Sequence, residues 1–295
     1  MDRLIYLVFI FISILPFKLL YLFSDLFFFI NHYIIRYRKD IIQNNLKNSF
    51  PEKSQKEINQ IHKKFNRNFT DYVFESIKGL TVDPNELEKR VVCENPELIK
   101  EYTNTGKNLM ALSGHVFNFE WYPFFAKNIQ GFDGLYFIYK PLKNKYLNRK
   151  VNELRSRFNG TGISAKETYR TIAQIPNNGK HLFYFLTDQS PNKHKAKYFI
   201  DFMNQETAVF KGFEDIVRKY NHNVLFIDGI KDRRGHYRMI LREIKPDNGE
   251  TFEEGEMLKK YFELLTITLK RNPDNWLWSH KRWKYTKKDV EELRC

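Results

Sequence analysis

The chain opens on an almost unbroken apolar run. From Leu4 to Ile30 nearly every residue is hydrophobic, and Lys18 and Asp25 are its only charges. As a helix it would measure roughly 40 Å, enough to cross a bilayer with some tilt. It is too long for an ordinary signal-peptide core, and no small-x-small cleavage site follows it. Lys18, Asp25 and Pro16 keep two alternatives open, a buried soluble helix and an interfacial or re-entrant one. Arg36, Arg38 and Lys39 come directly after the run, and by the positive-inside rule they hold the remainder in the cytoplasm. The expected organisation is a membrane anchor over residues 1–35 and one large domain over residues 36–295.

Beyond the anchor, helical periodicity alternates with short apolar strands. Residues 54–80 predict a long amphipathic helix, capped by Ser54 and Glu57, with Ile58, Ile61, Phe65, Phe69, Tyr72 and Ile77 on one face. Leu109–Ser113, Gly134–Tyr139, Leu182–Thr187, Val224–Gly229 and Tyr237–Ile244 read as strands. Helices are expected from near Phe119, over Lys143–Phe158, from a second capping box at Ser164 and Glu167 to about Ile175, over Phe210–Tyr220, and over 253–271. The alternation predicts an α/β fold, a mixed sheet flanked by helices, behind the N-terminal anchoring helix.

Charge and cysteine content narrow the chemistry. The 295 residues carry 49 Lys and Arg against 35 Asp and Glu, a formal net charge of +14. Such a balance favours an anionic partner: nucleic acid, an acidic protein or anionic lipid. Cys93 and Cys295 are too few for a disulfide framework and read as free thiols. No H-E-x-x-H, C-x-x-C or clustered-carboxylate pattern is present, so neither a metal nor another cofactor is expected; nor is there a G-x-S-x-G elbow or a glycine-rich nucleotide loop.

The sharpest local feature is Ser113-Gly114-His115-Val116-Phe117-Asn118-Phe119-Glu120, a histidine directly after a buried strand with a carboxylate five residues on. On one continuous helix these two would point about 140° apart. With His115 in the turn and Glu120 in the first helical turn they can meet, and the carboxylate would then fix the tautomer of a general base. The spacing alone equally suits a loop histidine near an unrelated acid. Asp188-Gln189 follow another strand end, where α/β sheets collect ligands, although an ordinary strand-to-turn Asp reads the same. Arg155 lies at the margin of an apolar helix face, as a snorkelling side chain or as a fixed cation for an anion. The basic stretch Lys193, His194, Lys195, Lys197, with Arg233 and Arg234, is either a solvated face or a phosphate-binding surface.

Taken in order, these blocks resemble the late acyltransferases of lipid A biosynthesis, the lauroyl/myristoyl transferase family. The resemblance runs from the anchor and Tyr37-Arg38 through Asn44–Glu52, Gly114-His115…Glu120-Trp121, Lys140–Asn144, Arg155–Phe158, Asp188-Gln189 and Thr207…Gly212. It ends on Trp276-Leu277-Trp278-Ser279-His280-Lys281-Arg282-Trp283-Lys284. It implies an acyltransferase with His115 and Glu120 as the H-x4-D/E pair and with site roles for Arg155 and Asp188. It further implies substrate contacts at Gly114, Asn118, Lys140 and Gln189, and makes Lys193, Lys195 and Lys197 candidates for a carrier or phosphate contact. The implied partners are acyl carrier protein as donor, a phosphorylated glycolipid acceptor and the anionic inner membrane at its cytoplasmic face, with no nucleic acid. The sequence departs from the family at Lys140 (usually Arg), at Phe117 (where Gly is common), and at Phe202-Met203-Asn204, which replaces Phe-Phe-Gly.

Overall fold

In the computed structural model, which describes residues 2–122, 131–157 and 159–292, the apolar segments assemble as strands β1 (Val91–Cys93), β2 (Leu109–Ser113), β3 (Gly134–Tyr139), β4 (Gly160–Ser164), β5 (His181–Leu186), β6 (Tyr198–Phe202), β7 (Gln205–Val209), β8 (Asn223–Arg233) and β9 (His236–Ile244). Helices α1 (Asp2–Ile14), α2 (Phe17–Phe29), α3 (Lys39–Ser49), α4 (Gln55–Lys78), α5 (Pro84–Glu88) and α6 (Glu97–Thr103) belong to the first part of the chain. They are followed by α7 (Lys145–Ser156), α8 (Thr168–Gln174), α9 (Gly212–Tyr220), α10 (Glu256–Arg271) and α11 (Lys287–Glu291).

Seven strands form one sheet in the order β1-β9-β8-β2-β5-β3-β4. Neighbours pair in parallel except β8 and β9, which form an antiparallel hairpin. All five residues of β2 are buried, as expected of a central parallel strand covered on both faces. Helix α10 packs on β8 and β9 through Met257, Leu258, Tyr261, Leu265 and Leu269, none of which retains exposed surface. Burying each such side chain contributes about 2 kcal/mol.

The capping box at Ser54 and Glu57 forms as the sequence predicts. The second does not: Ser164 ends strand β4, paired to β3, so the helix begins one turn later with Glu167 at its cap. The helix expected from Phe119 falls largely on residues outside the described ones, and so does the Phe158 end of the 143–158 helix; residues 115–121 form a turn. The short strands β1 and β4 and the separate β6–β7 hairpin were not evident in the sequence. That hairpin turns at Met203 and Asn204, both with positive φ (51° and 61°), the backbone of a tight two-residue turn in which Asn is favoured.

The N-terminal run is two helices. Pro16, with φ −57° and ψ 147°, separates α1 from α2, and a π-helical turn over Ile30–Ile35 ends at Arg36. Residues Phe17–Ile35 are the one stretch among the described residues long and apolar enough to cross a membrane, with mean hydropathy 1.2. Yet α2 packs along α4, and Asp25, one of its two charges, is paired with Arg67 and Arg234.

Candidate active site

Register brings the two strand-end motifs together. In the parallel pair β2–β5, Ser113 lies opposite Leu186. His115 and Asp188 are each two residues further on, so both emerge at the carboxyl rim of neighbouring strands. The His115 Nδ1–H donates to Asp188 Oδ1 at 2.5 Å, and the His115 backbone N–H donates to Oδ2 at 2.8 Å. Trp276 Nε1–H adds a third donor to Oδ2 at 2.5 Å. Burial works to raise the Asp188 carboxyl, but the His115 ring, its backbone N–H and Trp276 together hold it down to about 2. A carboxylate can only accept, so Nδ1 of His115 must carry the proton and Nε2 keeps its lone pair. Gln189 Nε2 lies 3.1 Å from that nitrogen and donates to it.

The expected contact between His115 and Glu120 is not the one made. Glu120 sits in the same turn, but its carboxylate is gripped by Arg155 in a fork, Nε to Oε2 at 2.9 Å and Nη2 to Oε1 at 2.5 Å. Burial opposes the Arg155 charge, and Glu120 more than offsets this, so the guanidinium is held above its ordinary value. Arg155 Nη1 has no hydrogen-bond partner among the described residues. Among the described residues, the carboxylate that meets the His115 ring is Asp188. The reason is geometric: Asp188 faces His115 from the adjacent strand, whereas Glu120 points across the pocket to α7.

His115, Glu120, Arg155, Gln189 and Lys140 line one cavity of about 420 Å³, which reaches the end of β3 and the side of α7. Other sequence candidates lie elsewhere. Gly114 is buried beneath the site; a Cβ there would stand 2.7 Å from Leu265 Cδ1 and 3.3 Å from Asp188 Oδ2, so glycine is what lets the carboxylate approach. Asn118 is fully buried and donates to Glu75 Oε2 at 2.8 Å rather than facing the cavity. Lys193 and Lys195 form a short 3₁₀ turn, followed by Lys197, outside the cavity wall. Arg234 is not free for phosphate, because it is bound to Asp71 and Asp25. Among the described residues no group of His, Cys, Asp and Glu could hold a metal ion.

Sequence reasoning missed the C-terminal clamp. Val116 and Trp276 form an antiparallel bridge, the Phe117 N–H donates to the Asn275 carbonyl at 2.9 Å, and the Leu277 N–H donates to the His115 carbonyl at 3.1 Å. The tryptophan-rich block was visible, but nothing local showed that it straps the turn that carries His115. Phe117 itself has φ 54°, a left-handed conformation that disfavours bulky residues. This is the position where the resemblance leads one to expect glycine.

Comparison with curated proteins finds no match. A family model described as bacterial lipid A biosynthesis acyltransferase matches residues 2–285. Since that match spans both the N-terminal helices and the C-terminal clamp, and hence every part of the site just described, the chain belongs to the bacterial lipid A biosynthesis acyltransferase family.

Proposed function

We propose that the chain is a late acyltransferase, moving a fatty acyl group from acyl carrier protein to a hydroxyl of a phosphorylated lipid A precursor at the cytoplasmic face of the inner membrane. The observation that carries the mechanism is the Asp188–His115 pair, with Nε2 directed to the cavity. Once the acceptor hydroxyl displaces the Gln189 amide from His115 Nε2, that nitrogen takes the hydroxyl proton as the oxygen attacks the thioester carbonyl. A C–O bond forms, the tetrahedral oxyanion collapses, and the C–S bond breaks. The imidazolium, stabilised by Asp188, returns its proton to the departing thiolate. Arg155 Nη1 is the donor for the oxyanion, with Glu120 holding the guanidinium in place. The His115 ring bonds to Asp188 and Gln189 and to no serine or cysteine among the described residues, which favours direct transfer over an acyl-enzyme. A small apolar cavity of about 40 Å³, lined by Ala111, Leu135, Leu182 and Ile227, shares Phe137, Arg155 and Tyr184 with the polar one; it would have to widen to take an acyl chain.

The test is direct. Purified protein is given a tetra-acylated lipid A precursor with acyl carrier protein thioesters of several chain lengths, and products are read by mass spectrometry. The wild-type chain should add one acyl group, and His115→Ala should add none while its circular dichroism is unchanged. Turnover by His115→Ala within a few-fold of wild type removes the mechanism.

A further inference from the structure

The apolar N-terminal run suits a spanning helix by length, but its contacts describe a different arrangement. We propose that α1 and α2 lie flat in one leaflet of an anionic bilayer, docked on the domain they precede, so that the chain binds the membrane from one side without crossing it.

The polar stripe of α2 is used up along its length. Tyr21 donates to Glu75 at 2.8 Å and Ser24 to Asp71 at 2.7 Å. Asp25 accepts from Arg67 at 2.5 Å and from Arg234 at 2.7 Å, and His32 beyond it meets Asn66 at 2.8 Å. These positions recur at helical spacing on one side. Their partners belong to α4 and to the tip of the β8–β9 hairpin. A bilayer-crossing α2 would carry Arg67, Asp71, Glu75 and Arg234 to hydrocarbon depth with it. Otherwise it would leave Ser24 and Asp25 there without partners, and either arrangement is costly. Helix α1 is tied in the same way: the Ser13 carbonyl accepts from Lys78 Nζ at 2.8 Å and from Thr81 Oγ1 at 2.6 Å.

The opposite faces are apolar and open. Leu4, Leu7, Val8, Phe11 and Ile14 are exposed on α1, and Leu19, Leu22, Phe23, Leu26 and Phe29 on α2. Each set follows the three-and-four spacing of a single helical face. The exposed cations Arg3, Lys18, Arg36, Arg38 and Lys39 fringe these faces, which makes an anionic lipid surface the complementary occupant. Tyr6 of α1 packs edge-on against Tyr146 of α7, with ring centres 5.9 Å apart. Helix α7 also carries Arg155, so the lipid surface adjoins the wall of the catalytic cavity, and a lipid acceptor reaches His115 without leaving its leaflet.

Topology is read on the full chain with Cys93 and Cys295 replaced by Ser, and single cysteines introduced by Arg3→Cys or Glu250→Cys. In sealed spheroplasts and inverted vesicles, a membrane-impermeant maleimide should label both positions from the same side. Labelling from opposite sides overturns the proposal, as does recovery of the chain in the soluble fraction. A nitroxide probe on Leu22→Cys should report interfacial depth; a mid-bilayer position also overturns it. Flotation on phosphatidylglycerol-containing vesicles supplies an independent arm. Leu22→Glu with Phe23→Glu should lower partitioning by roughly tenfold or more, and unchanged partitioning counts against the surface. None of these measurements requires acyl transfer, so the topology can fail while the enzymatic reading stands.

Discussion

Asp188→Asn separates the two carboxylates that could orient His115. In the wild-type site, Oδ2 accepts from the His115 backbone N–H at 2.8 Å and from Trp276 at 2.5 Å, while Oδ1 accepts from His115 Nδ1 at 2.5 Å. An asparagine has one carbonyl oxygen. The two donors at Oδ2 will claim it, which leaves the amide NH₂ facing Nδ1. The ring must then switch tautomer, with Nδ1 accepting and Nε2 protonated, and the nitrogen facing the cavity ceases to be a base. The charge that stabilises the imidazolium is lost in the same step. For a histidine base deprived of its carboxylate in this way, kcat falls by about 10³–10⁴-fold, or ~4–5.5 kcal/mol of transition-state stabilisation. If Asp188 acts only through the His115 ring, the KM for the precursor should change little. Steady-state acyl transfer from acyl carrier protein thioester, with urea melts to confirm folding, measures both. If Asp188→Asn keeps kcat within about threefold while Glu120→Gln loses 10³-fold or more, Glu120 orients the ring and the reasoning is wrong.

Arg155→Ala should lower both turnover and stability, because it leaves the mostly buried Glu120 without its partner. The stability loss should be about 3 kcal/mol, at the low end for a broken buried pair, and Arg155→Ala with Glu120→Ala should recover part of it in urea melts. Acid should act on the fold through its buried histidines, offset in part by Glu75 and Glu214, whose carboxyls burial raises. Burial drives His62, His222 and His280 down from 6.5 to about 4, so the unfolded chain binds more protons between those values and stability falls as pH drops through that window. Chemical denaturation at pH 7, 5.5 and 4.5 should show it, and His222→Phe should flatten the slope. Reversing Lys193, Lys195 and Lys197 to Glu should raise the KM for acyl carrier protein thioester and weaken its salt dependence; a rise in the glycolipid KM instead makes the stretch a phosphate contact, and no change in either makes it a solvated face.

Much of the fold was written locally. The helix at 55–78 could be read from its apolar stripe and from Ser54 and Glu57, because capping and periodicity act within one turn. The buried strands ending at Ser113 and Leu186 could be read from dense apolar runs, and their alternation with helices gave the class. Local pattern also set His115, Asp188 and Glu120 at element ends. It could not choose His115's partner, because that depends on which strands lie side by side and in what register, and these are long-range pairings. Sequence proximity pointed to Glu120, five residues away; the sheet supplied Asp188, 73 residues away. The Trp276 strap is the same case at greater distance, since a tryptophan's donor has no preferred partner until the core closes around it. The N-terminal run makes the point in reverse. Its apolar content marked it as a candidate anchor, while Asp25 and Ser24 acquired meaning only when Arg234 and Asp71 arrived from distant segments to bind them.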